Sequence, residues 1–325
     1  MEYFSLGRTG LKISRLGLGC GSFGGLGSDP RFFGMGQSET EAFALMDRAY
    51  EMGINFFDTA DSYGGGRSES IIGKWFKTKS SEVRQQILVS SKVFNPIGDG
   101  PNDRGLSRRH ILRQVDSSLK RLGVERLDLY LAHEVDPETP LEETLRAFDD
   151  VIRQGKAHYI GASNWEAWRV ARALWVSDKL GLASFSWVQN SYNLLEQELE
   201  YEMLPLCEDQ GLGFTPYSSL AGGWLTGKYE AGKNYPAGSR MTMRPEPYQH
   251  LIQEKTFRGI GAFRKAASSR GIDMATLAFA WVLSHPQTNA IIIGPRKPEH
   301  FELAEKALRI PLTAIERAEL AALFR

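Results

Sequence analysis

The sequence predicts an α/β protein folded as a single (β/α)8 barrel over residues 1–325, with an N-terminal β-hairpin and long loops at the C-terminal face. Three observations carry this. Short apolar or β-branched runs alternate with helical patterns from end to end without a break in composition, as parallel strands joined by helices require. About eight such strands can be counted, the number that closes a sheet into a TIM barrel. Polarity inverts where several runs end, most sharply where Ile54, Phe56 and Phe57 give way to Asp58, Asp61 and Tyr63. In parallel α/β folds reactive groups gather at the carboxyl ends of strands, so this inversion marks one rim of the barrel.

The elements follow in order. Residues 3–14 alternate loosely around Gly7-Arg8-Thr9-Gly10 and predict the hairpin. Arg15 to Leu18 form the first barrel strand, which runs into Gly19-Cys20-Gly21-Ser22-Phe23-Gly24, a formal match to the dinucleotide fingerprint. That fingerprint needs its last glycine to open a helix facing a pyrophosphate. Here the chain continues through Gly25, Gly27, Asp29 and Pro30 to the capping box Ser38-Glu39-Thr40-Glu41, so a ligand-facing loop is expected in place of a Rossmann site. Phe43, Ala44, Leu45, Ala49 and Met52 then recur at helical spacing up to Gly53.

A helix over 68–76 precedes a strand over 87–90 that ends at Ser91-Lys92, and a helix over 107–122 stops at Gly123. A strand over 127–131 ends at Ala132-His133. Thr139-Pro140-Leu141-Glu142 reads as a capping box with proline at the first helical position, for a helix to about Arg153. Ala157 to Ile160 lead to Gly161-Ala162, and Ser163-Asn164-Trp165-Glu166 reads as the cap of a helix starting at Trp165. Beyond it come a strand over 186–189, a helix over 202–210, a strand over 212–215, and a long loop from Tyr217 to about Pro247. Helices over 257–269 and 274–284 precede the β-branched strand 290–293, which ends at Gly294-Pro295-Arg296. Thr313-Ala314-Ile315-Glu316 caps the last helix.

Lysines and arginines balance aspartates and glutamates at 39 each, so there is no net field to hold a polyanion or an anionic membrane, and no nucleic-acid or membrane partner is expected. Cys20 and Cys207, far apart, supply neither a metal set nor a disulfide framework. No metal is expected, and a reducing cytoplasm suits the chain. The N-terminus lacks a basic segment followed by an apolar core, and no apolar run is long enough for a bilayer.

Successive strand ends of a closed barrel face one mouth, which brings Asp58, Tyr63, Lys92 and His133 together. A free phenol is a poor acid near neutrality. A lysine ammonium beside it favours the phenolate and lowers its pKa, an aspartate keeps the lysine charged, and a histidine can hydrogen-bond the same substrate oxygen. Such a group polarises a carbonyl and protonates its oxygen as a hydride reaches carbon.

These pieces resemble the aldo-keto reductase family over almost the whole chain. The matching motifs are Asp58-Thr59-Ala60-Asp61-Ser62-Tyr63-Gly64, Ser91-Lys92, the His133 strand end, Gly161-Ala162-Ser163-Asn164, Thr215-Pro216-Tyr217-Ser218-Ser219-Leu220-Ala221-Gly222-Gly223, Leu225-Thr226-Gly227-Lys228-Tyr229 and Gly294-Pro295-Arg296. The resemblance implies an NADP-dependent enzyme with Asp58, Tyr63, Lys92 and His133 as the catalytic tetrad, which reduces an aldehyde or ketone to an alcohol reversibly. By the same resemblance Ser163, Asn164 and Gln189 would hold the nicotinamide carboxamide and Tyr217 would stack on its ring. Ser218, Leu220, Gly222 and Lys228 would follow the pyrophosphate and ribose, and Arg296 would meet the 2′-phosphate of NADPH. Where the family often carries adenine contacts, this chain has His300, Leu303 and Ala304.

Arg240 in the long loop could clamp the cofactor or stay solvated. Phe23, Phe32, Phe33, Met35, Phe94 and Trp224 could wall an apolar acceptor cleft or pack the loops. The resemblance extends to the beta subunits of voltage-gated potassium channels, so a cofactor-binding regulatory subunit is the alternative function. A Schiff-base role for Lys92 requires a depressed amine, which Asp58 opposes.

Overall fold

The computed structural model describes residues 1–325. Strands β1 (Tyr3–Ser5) and β2 (Lys12–Ser14) pair antiparallel as the expected hairpin, with Tyr3 opposite Ser14. Eight further strands form one parallel sheet: β3 (Leu16–Gly19), β4 (Phe56–Asp58), β5 (Leu88–Val93), β6 (Leu127–Ala132), β7 (Ala157–Ser163), β8 (Trp187–Gln189), β9 (Gly213–Phe214) and β10 (Ile291–Ile293). They pair in chain order, and β10 returns to pair with β3. Backbone bonds from Asn289 N to Phe214 O (2.9 Å) and from Ile292 N to Pro216 O (2.8 Å) join the last strand to β9 and close the barrel.

The two-residue period of each strand divides its side chains between two cores. Phe57, Val89, Tyr130, Ile160 and Val188 pack outward against the helices. Phe56, Leu129, Leu131, Trp187 and Ile292 fill the barrel together with Leu6 and Ile13, so the hairpin plugs the N-terminal end. Trp187 fits because Gly161 faces it: a Cβ there would stand 2.4 Å from the indole. One step further along the same inward rows, the residues turn polar. Phe56 is followed by Asp58, Leu131 by His133 and Trp187 by Gln189. The barrel is therefore apolar at its floor and polar at its C-terminal rim.

Most helices lie within a few residues of their predicted bounds, because their caps and stripes are local signals. Ser38 and Glu41 form the reciprocal capping box, Ser107 caps Arg108–Leu122, and Gly123 ends that helix in the left-handed conformation (φ 68°). Two predicted caps do not form. Thr139 donates to Asp136 instead, and the helix Leu141–Arg153 starts behind Pro140 without a side-chain cap. Ser163 remains the last residue of β7, and the next helix, Ala167–Leu180, begins two residues later than Trp165. The helix Ser81–Gln86, capped by Ser80, is absent from the sequence reading because it buries no residue and so carries no apolar stripe.

The glycine motif after β3 opens no helix, as its sequence context implied; the chain there forms turns and a short 3₁₀ segment at Pro30–Phe32. The long loop after Tyr217 is partly ordered into 3₁₀ segments at Ala221–Thr226 and Glu246–Leu251 and a helical turn at Arg240–Met243. No helix is long and apolar enough to cross a membrane.

Candidate active site

The C-terminal rim brings Asp58, Tyr63, Lys92 and His133 to one place. Asp58 ends β4 in register with Ser90, and Lys92 stands two residues further along β5, on the same inward row. Lys92 Nζ donates to Asp58 Oδ2 at 2.7 Å and to Thr59 O at 2.9 Å, and approaches Tyr63 Oη at 3.5 Å. Asp58 Oδ1 accepts from Ser90 Oγ (2.7 Å) and Gln189 Nε2 (3.0 Å). His133 Nε2 lies 3.4 Å from Tyr63 Oη on the opposite side, and the two rings meet edge to face. Asp61, grouped with Asp58 in the sequence, is buried apart near the Glu69 carboxylate.

The electrostatics correct one expectation. Lys92 was to lower the pKa of Tyr63, but its ammonium is closer to Asp58 and Thr59. Burial, with the Asp58 carboxylate next, pushes the phenol well above its ordinary range. Burial and then Lys92 push His133 well below the usual imidazole range, so it is neutral. The cluster is thus a paired lysine and aspartate beside a protonated phenol and an uncharged imidazole.

The residues expected at the nicotinamide are adjacent but partly engaged with one another. Asn164 has a left-handed backbone (φ 60°) and donates from Nδ2 to His133 O (3.0 Å) and Glu134 Oε1 (2.8 Å). Its Oδ1 accepts from Tyr217 Oη at 2.7 Å. Ser163 Oγ is buried without a partner, a free polar atom at the strand end where a ligand amide was expected. Gln189, also expected there, is buried and directed at Asp58. Ser218 (φ 62°), Ala221 (φ 46°), Gly222 (φ 62°) and Gly223 (φ 99°) hold the loop in left-handed conformations, with Leu220 half-buried among them. That backbone is unfavourable for the two non-glycine residues, and strain of this kind is typical of ligand-gripping loops. Gly222 also lets the Tyr248 ring approach to where a Cβ would clash at 2.5 Å.

Three cations meet beyond this loop. Lys228 is exposed, yet partial desolvation and then the charges of Arg296 and Arg240 push its ammonium down. Arg240 is likewise lowered, by burial first and with Arg244 and Arg296 contributing. None of Lys228, Arg240 and Arg296 has a carboxylate within 4 Å. Like charges gathered without counter-ions fit a phosphate-bearing ligand. Arg296 also lines a cavity of about 340 Å³, with Leu26, Met35, Gln37, Glu41, Gly238, Lys297 and His300. Ala304 is buried in the core and Leu303 packs against it, while His300 accepts from Arg296 N at 3.1 Å. The sequence carries no signal for Tyr248 or Glu134 as contacts, whereas Arg240, in its Gly-Ser-Arg context, is legible there as a cofactor clamp or a solvated arginine.

The proposed aromatic wall is largely not a wall. Trp224 is fully buried against Tyr229 and Phe257, and Phe23 lies in the core. Phe32 lies beneath Arg31 and Arg244, and Phe33 beneath Arg67. Phe94 is half-buried against the core and Met35 is exposed.

Comparison with known proteins agrees with this architecture. A profile of the aldo/keto reductase family matches residues 15–324. The chain is 40% identical over 321 residues to an uncharacterized oxidoreductase, YrpG, of Bacillus subtilis, covering 96% of this chain and 92% of that one. It is 39% identical to a rice protein named "Probable voltage-gated potassium channel subunit beta", covering 97% and 94%. It is 36% identical to the versiconal hemiacetal acetate reductase of Aspergillus parasiticus, covering 97% and 95%.

Proposed function

Because this chain belongs to the aldo/keto reductase family, we propose that it is an NADPH-dependent oxidoreductase, built as one domain over residues 1–325, that reduces an aldehyde or ketone to an alcohol with Tyr63 as the proton donor. The observation that carries this reading is the convergence of Asp58, Lys92, Tyr63 and His133 at one rim. Bound NADPH supplies the hydride. Tyr63, held protonated by its buried setting, hands its proton to the carbonyl oxygen. Lys92, anchored by Asp58, steadies the phenolate that is left, and neutral His133 hydrogen-bonds the same oxygen.

Asn164, with Ser163 beside it, is suited to the carboxamide, and Tyr217 to the face of the nicotinamide. Gln189 acts through Asp58. Ser218, Leu220 and Gly222 would line the pyrophosphate, and Lys228, Arg240 and Arg296 would take the phosphates, with Arg296 at the 2′-phosphate. Their uncompensated charge favours NADPH over NADH.

The test is to incubate the protein with NADPH and a panel of aliphatic and aromatic aldehydes and ketones while following cofactor oxidation. Cofactor binding without turnover of any member would overturn the enzymatic reading. It would favour the second one, a cofactor-binding subunit, which rests on the similarity to the rice protein. Copurification of a membrane channel would then be the deciding result. A Schiff-base reaction at Lys92 is disfavoured by its bonds to Asp58 and Thr59.

A further inference from the structure

We propose that Asn95 is a positioning residue that holds His133 as the Nε2–H tautomer and thereby turns the Tyr63 proton toward the bound carbonyl. Asn95 follows Val93 and Phe94 at the end of β5 and is half-buried. Its Nδ2 lies 3.2 Å from His133 Nδ1. An amide nitrogen only donates, and a neutral imidazole has one donor and one acceptor nitrogen. With Nδ1 accepting from Asn95, the ring proton is on Nε2. His133 is held neutral by burial and by Lys92, so the choice between tautomers is a real one.

The consequence falls on Tyr63. Its oxygen then faces two donors, Nε2–H of His133 at 3.4 Å and Nζ of Lys92 at 3.5 Å. Lys92 has other hydrogen bonds to Asp58 and Thr59, which leave it one proton for this contact. With both neighbours donating, the phenolic proton has no acceptor among them and turns into the cleft. The opposite tautomer would present Nε2 as an acceptor, and the Tyr63 proton would be held by His133 instead of the substrate. Asn95 thus sets the direction of a proton that it does not touch.

The inference rests on the reductase reading, but its first test does not require turnover. In cofactor-free protein labelled with ¹⁵N-histidine, two-bond proton–nitrogen correlation reports which ring nitrogen is protonated, with His133 assigned by its loss in His133→Gln. The expected result is a protonated Nε2 and a bare Nδ1. In Asn95→Asp, close to isosteric and carrying only acceptors, Nδ1 becomes protonated and carbonyl reduction at saturating cofactor falls about tenfold to a hundredfold, with cofactor affinity unchanged. A wild-type Nδ1–H tautomer, or a tautomer unmoved by Asn95→Asp, overturns the inference. So does a changed tautomer with undiminished turnover. If Tyr63→Phe is inactive in that same case, the reductase reading survives while the role of Asn95 does not.

Discussion

Lys92 Nζ lies 2.7 Å from Asp58 Oδ2, and the two side chains are 0% and 5% exposed. The enclosed lysine nitrogen is paired with a carboxylate that stands on the neighbouring strand, one step down the barrel. The pair is the electrostatic base on which Tyr63 and His133 rest.

Removing one partner leaves the other charge uncompensated. Asp58→Asn is expected to destabilise the protein by about 3–5 kcal/mol, whereas Asp58→Asn combined with Lys92→Met recovers part of that loss because no buried charge remains. Urea denaturation of the two singles and the double closes the cycle. Additive losses would mean that the pair is not coupled.

Tyr63→Phe removes the proposed acid while preserving the ring that packs on His133. Turnover of carbonyls is expected to fall roughly 10²- to 10⁴-fold, while NADPH affinity, read by fluorescence titration, stays the same. Equal turnover would take Tyr63 out of the reaction.

The three cations Lys228, Arg240 and Arg296 make a prediction of opposite signs. Arg240→Met and Arg296→Met are each expected to weaken NADPH binding by about tenfold to a hundredfold, the worth of a charged hydrogen bond, with a much smaller effect on NADH. The cofactor-free protein should melt no lower, because like-charge repulsion is relieved. Added salt should narrow the wild-type preference for NADPH. Equal losses for the two cofactors would argue against a 2′-phosphate contact at these arginines.

His110 is fully buried and 3.3 Å from Arg113 Nη2, and burial followed by that charge lowers its pKa to about 4. The unfolded chain takes up a proton at His110 as pH falls below about 6.5, while the folded chain does so only near 4. Its contribution to stability is therefore intact above 6.5 and is lost on acidification through this window, by up to about 3 kcal/mol. His110→Gln should flatten that part of the stability curve. An unchanged slope between pH 4 and 6.5 would show that His110 titrates normally in the folded protein.

Much of this was legible in the chain because the signals are local. Ser38 with Glu41, Ser107, Gly123 and Thr313 announce helix ends through bonds spanning three or four residues. The strand ends at Asp58, Lys92 and His133 are visible because inward-facing residues switch from apolar to polar within two positions. Local patterns also misled where another bond won: Thr139 turned back to Asp136, three residues earlier, and Ser163 stayed in β7, paired across the sheet with Gln189.

By itself the sequence determined the parallel barrel, the N-terminal hairpin and which residue types reach the open rim, since periodicity and capping act over a few residues. Only the tertiary structure decided what those residues do to one another. It directed Gln189 to Asp58, buried Trp224 away from the cleft, gathered Arg240 with Lys228 and Arg296, and held Tyr63 protonated where proximity to lysine alone implied the reverse. The reason is that desolvation and pairwise charge depend on distances through space, and the closure of eight strands sets those distances between residues more than a hundred positions apart, as with Asp58 and Gln189.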